Sequence, residues 1–159
     1  MSIASIAMQD RLPADSPARI CFGCGADNLH GLHIKSYMEG DTAICHFTPK
    51  SYHTAFPGAL NGGIIATILD CHGLWTAMGY YIKHHKDDIE NETDVIYVTR
   101  KLTIEYLRKT SIGNELTIRG RVTSEEGRTA NVLVELFDNS TLCVKGKVLG
   151  VRVKGLPEK

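Results

Sequence analysis

The sequence predicts an α+β domain in two layers: one long helix covered by an antiparallel sheet of about six strands. Three observations lead there. Only the stretch from Asn61 to about Tyr81 sustains a helical period of apolar residues. Six other segments alternate apolar and polar residues, two before that stretch and four after it. Short turn-forming runs join neighbouring strands, so consecutive strands fold back antiparallel, and a lone apolar helix needs a sheet to cover it.

The 159 residues fit one domain over 20–154, with a flexible lead-in over 1–19 and a loose tail over 155–159. The chain is 43% hydrophobic and 23% charged, the balance of a globular protein. Eighteen basic residues offset eighteen acidic ones, which argues against a nucleic-acid binder but leaves room for a local basic patch. No apolar run reaches the length of a membrane span. Met1 to Met8 lacks the positive start and long apolar centre of a signal peptide. Five cysteines, an odd number, do not form a disulfide framework, so the chain reads as cytoplasmic.

Taken in order, Pro13 and Pro17 oppose regular structure in the lead-in. The run from Cys21 to His33 is then a glycine-punctuated turn. Cys21 and Cys24 with His30 and His33 form two ligand pairs and invite a zinc reading. The pairs lie closer together than in a zinc finger, so the turn is read instead as a core plug and no metal is assigned. Leu32 to Glu39 and Thr42 to Thr48 form a hairpin around Gly40. The loop from Pro49 to Leu60 brings His53 and Phe56 to the helix start.

Asn61 is suited to cap the helix, and Gly62 and Gly63 open its first turn to close approach. Its free N–H groups and the helix dipole favour negative charge there. Ile64, Ile68, Cys71, Trp75 and Met78 form an apolar stripe. A second line, Gly63, Ala66, Thr67, Asp70, Gly73 and Ala77, is small apart from Asp70, whose carboxylate is either tied up by a backbone or Thr bond in a tightly packed helix or aimed into a narrow slot. A polar run from Lys83 to Glu92 follows. The remaining strands are placed at Val95–Arg108, Glu115–Ser124, Thr129–Asp138 and Thr141–Lys154, with turns at Gly113, Gly127 and Asn139-Ser140. On the first of these, Ile96, Val98, Leu102, Ile104 and Tyr106 share a face whose alternation Arg100 interrupts.

Over about residues 20–153 the chain resembles the hotdog-fold acyl-CoA thioesterases, in the group similar to the phenylacetate-pathway (PaaI-like) enzymes. The resemblance rests on Cys21-Phe22-Gly23-Cys24-Gly25 with Asn28 and Gly31-Leu32, on Pro57 through Asp70, on Ile104 through Arg108 before Gly113, and on the element order. It implies a homodimer, or a dimer of dimers, whose subunits pair edge to edge with active sites between them. It also implies a reaction with acyl-CoA and no cofactor. Backbone N–H at Gly62 or Gly63 polarises the thioester carbonyl, and Asp70 acts across the interface as nucleophile or as base for water. The pantetheine arm and phosphates fall near Thr103, Arg108 and Lys109, and the acyl slot near Phe56 and Thr67.

The chain departs from its relatives in two places. Asn61 stands where many relatives have His. Thr54-Ala55-Phe56 offers no Asn to hold water, a role left to His53 or Asn61. His72, two residues from Asp70, points elsewhere on a helix, so no Asp–His dyad is read. A non-catalytic acyl-CoA binder is the main rival. A hydratase is disfavoured for want of that dyad.

Overall fold

The computed structural model describes residues 5–156; the first four residues of the lead-in and the last three of the tail lie outside them. The strands are β1 (Tyr37–Glu39), β2 (Thr42–Phe47), β3 (Ile96–Tyr106), β4 (Leu116–Glu126), β5 (Thr129–Asp138) and β6 (Thr141–Val153), and the helix is α1 (Gly62–His84). They form one antiparallel sheet in the order β1-β2-β4-β5-β6-β3, laid over α1. This is the hotdog fold, as the sequence predicts. No helix among the described residues is long and apolar enough to cross a membrane.

Glycines let side chains of the helix seat directly on the strand backbone. A Cβ on Gly120 would stand 2.1 Å from Thr76 Oγ1, and one on Gly146 would stand 2.7 Å from Leu69 Cδ2. Gly73 and Ala77 from the small-residue line are buried, Gly73 against Val148 and Val134. That line is therefore split. Its later members face the sheet, while Gly63 is exposed and Ala66, Thr67 and Asp70 are half-buried.

Two expectations about the strands need correction. Leu32–Ser36 is not part of the first hairpin. Leu32 and Ile34 donate their N–H groups to Phe22 O and Gly23 O, and His33 has a positive φ of 53° between them. The segment is tied to the cysteine turn instead. On β3, Tyr97 is buried and Val98 exposed, the reverse of the expected face. A bulge between Thr99 and Lys101 shifts the register and returns Leu102 and Ile104 to the covered side.

A buried polar chain joins the lead-in to the helix. Gln9 Nε2–H donates to Ser36 Oγ at 3.1 Å, Ser36 donates to His72 Nδ1 at 2.8 Å, and His72 Nε2–H donates to Ala43 O at 3.1 Å. Each member is satisfied, and burial holds His72 neutral by lowering its pKa to about 4. Residues 5–20 contain two short 3-10 turns, Met8–Arg11 and Pro17–Ile20, with Met8 in the core.

Gly120→Ala drives a methyl into Thr76 and is expected to cost about 1–3 kcal/mol, read as a lower Tm. Adding Thr76→Ala should recover part of that loss, because the two sites share one contact.

Candidate active site

At the helix start, Asn61 Oδ1 accepts the N–H groups of Gly63 at 2.8 Å and Ile64 at 3.3 Å. The cap thus takes up Gly63. Gly62 N–H donates to no described residue and remains the available donor. Its carbonyl accepts the Tyr106 phenol at 2.8 Å, and that ring packs over Gly62. The sequence reading placed Tyr106 only on a strand face; nothing local signals a contact across so many residues.

The preceding loop is fastened on both sides. Asn61 N–H donates to His53 O at 2.9 Å, Leu60 N–H to Thr110 O at 2.9 Å, and Ile112 N–H to Gly58 O at 3.2 Å. His53 is buried between Phe47 and Tyr52, and its Nδ1 accepts Lys50 N–H at 3.1 Å. Burial, with Lys50 nearby, pulls its pKa down. Phe56 is 77% exposed. Thr67 donates to Gly63 O at 3.0 Å.

Asp70 lies two turns further along α1. Thr99 Oγ1–H donates to its Oδ1 at 2.6 Å. Burial raises the carboxyl pKa, the Thr99 bond works against the rise, and Cys21 adds to it. Thr99 is the residue beside the β3 bulge, so the bulge aims its hydroxyl at the helix. Its signal was in the sequence: the alternation of β3 breaks at Arg100.

Thr103 is exposed on β3 between these two points. Arg108 Nη1–H donates to Leu142 O at 3.2 Å, and Lys109 is exposed with Nζ 3.6 Å from where a Gly58 Cβ would stand. The chain gathers Asn61, Gly62, Thr67 and Tyr106 at the helix start and pairs Asp70 with Thr99. It does not bring Asp70 to Gly62. Eight residues of helix separate them by about 12 Å along the axis.

From Cys71 onward α1 lines a cavity of about 520 Å³. Leu74, Trp75 and Met78 line it from α1, Met8 and Leu12 from the lead-in, and Tyr97 from β3. Cys21, Cys24 and Cys71 form part of its wall, whereas Phe56 does not reach it. His72 faces Ser36 and Ala43, away from Asp70.

Comparisons with known proteins bear on this arrangement. The sequence model of the thioesterase superfamily matches residues 57–145. A thioesterase superfamily protein from Shewanella loihica PV-4 is similar at 35% identity and a TM-score of 0.60, over 78% of this chain and 94% of that one. The PaaI protein of the E. coli phenylacetic acid degradation operon shares the fold at 17% identity and a TM-score of 0.63, over 78% of this chain and 82% of that one. A hypothetical thioesterase with coenzyme A from Streptococcus pneumoniae TIGR4 does so at 14% identity and a TM-score of 0.59, over 73% of this chain and 84% of that one. No curated protein matches the sequence.

Asn61→Ala removes the acceptor for two helix N–H groups and is expected to lower stability by about 1 kcal/mol, measured by denaturant unfolding. Asn61→Asp, which keeps the acceptor, should lose far less.

Proposed function

The chain belongs to the thioesterase superfamily and is a thioester hydrolase; from that premise we propose that its reaction is acyl-CoA plus water giving a carboxylic acid and CoA. One observation carries the reading. Asp70 is a half-buried carboxylate with one oxygen held by Thr99 and a raised pKa, a good proton acceptor beside an apolar cavity. In the proposed mechanism Asp70 takes a proton from water as its oxygen attacks the thioester carbon. Gly62 N–H stabilises the oxygen that gains charge. The tetrahedral intermediate then expels the CoA sulfur by breaking the C–S bond. The sulfur takes up the proton.

No single chain spans that geometry, because one carbonyl cannot meet two groups about 12 Å apart along a helix. We therefore assign the two groups to different protomers. The long edge supports this. β3 lies at the margin of the sheet with eleven residues and no outer partner among the described residues, the kind of edge that pairs with another chain. A second copy aligned on β3 brings its Gly62 towards this Asp70. Size-exclusion chromatography with light scattering should give a dimer or a dimer of dimers, and a strict monomer would refute the shared site.

The acyl group is assigned to the cavity beyond Asp70 rather than to the small helix face, half of which the sheet covers. Arg108 and Lys109, exposed where β3 ends, are assigned to the CoA phosphates. That a structural neighbour carries coenzyme A supports the choice of thioester. A binder without catalysis would have no use for a desolvated carboxylate held by a hydroxyl.

Asp70→Asn should reduce thiol release from acyl-CoA by roughly 10²–10⁴-fold with acyl-CoA binding retained; unchanged turnover would end the assignment. Replacing Arg108 and Lys109 together with alanine should raise KM for acyl-CoA roughly tenfold, about 1.4 kcal/mol. KM for the matching acyl-pantetheine, which lacks the nucleotide phosphates, should stay the same.

A further inference from the structure

Cys71 changes the meaning of the cysteine turn. The sulfurs of Cys21, Cys24 and Cys71 all lie within 4.8 Å of one another, and Cys21 Sγ is 3.6 Å from Cys71 Sγ. His30 is exposed and His33 is held against the Asn28 carbonyl, so neither joins them. From this geometry we propose that Cys21, Cys24 and Cys71 are a binding site for one thiophilic d¹⁰ metal ion, with zinc(II) the ordinary occupant.

The spacing suits a metal. Thiolates at about 2.3 Å from a tetrahedral zinc stand about 3.8 Å from one another, close to the separation of Cys21 and Cys71. A disulfide would use two of the sulfurs and leave the third idle. The surroundings suit one too. Trp75 Nε1–H donates to Cys24 Sγ at 3.2 Å. Such donors commonly support metal-bound ligands.

The turn is built for this closeness. A Cβ on Gly23 would stand 2.4 Å from Cys71 Sγ, and one on Gly25 would stand 2.3 Å from Arg19 O. A side chain at Gly23 would push the turn off the helix, and one at Gly25 would collide with the backbone of Arg19 and Cys21 and distort the turn itself. Two ligands come from a Cys-x-x-Cys turn and the third from α1, so a bound ion staples the turn to the helix. Among the described residues no fourth His, Cys, Asp or Glu joins the cluster. The sulfurs line the cavity wall, which leaves the fourth position to water or another small ligand.

The test is metal binding, read apart from turnover. The full chain, purified untagged under reducing conditions, is assayed for metal by mass spectrometry, then stripped and titrated with Zn²⁺ and with Cd²⁺. Expected are one ion per chain and the ultraviolet thiolate-to-cadmium charge-transfer band. Cys21→Ser should abolish the band, and Cys45→Ser, a buried thiol elsewhere, should leave it. Because a cysteine substitution in the cluster risks misfolding, Trp75→Phe is the second variant. It removes the donor to Cys24 while keeping an aromatic ring in the core and should weaken metal affinity about 10–100-fold, with circular dichroism unchanged. Two outcomes overturn the proposal: no uptake of either ion by the reduced chain, or uptake unaltered by Cys21→Ser.

Discussion

Everything in the domain is set by how closely α1 lies on the sheet. Gly120 and Gly146 put no side chain of their own between strand and helix, so Thr76 and Leu69 seat directly on the strand backbone, and Gly73 meets Val148 from the other side. At that distance the helix cannot rotate without a clash. Its remaining faces are then fixed by the 3.6-residue period. Asp70 turns towards β3, Cys71 towards the cysteine turn, and His72 towards Ser36 and the β2 carbonyl of Ala43. Three consecutive residues thus meet three different parts of the chain.

The two ends of the proposed chemistry are held differently. The helix start is rigid because backbone bonds on both sides clamp the 53–60 loop and Asn61 caps the first turn. Asp70 is held by one hydroxyl, from a strand that bulges at that point. A carboxylate fixed by one oxygen keeps its other oxygen available, and partial burial makes it more basic than an exposed one. The strand that supplies Thr99 is also the unpaired edge, so the edge and the acid share one element. In the proposed dimer, strand pairing and assembly of the active site become the same event.

The lead-in and the cysteine turn together behave as part of the fold. Met8 packs in the core, Gln9 feeds the polar chain to His72, and the cysteine turn presses on α1. This segment closes one side of the cavity. A small apolar contact, one buried hydrogen-bond chain and three sulfurs are its attachments, and the proposed metal would strengthen the last of these.

The sequence by itself determined the element order, the antiparallel sheet, the capped helix start and the placing of Asp70 on that helix. Local rules govern all of these: apolar period, turn residues and N-cap chemistry act within a few positions. The break in β3 at Arg100 was equally legible, though its consequence was not. Only the tertiary structure decided that Thr99 reaches Asp70, that Tyr106 reaches Gly62, that Cys71 completes a group with Cys21 and Cys24, and that Gly73 faces sheet rather than slot. Each of these joins residues some thirty to fifty or more positions apart. Such contacts follow from the depth and rotation at which the helix settles, which no local pattern encodes.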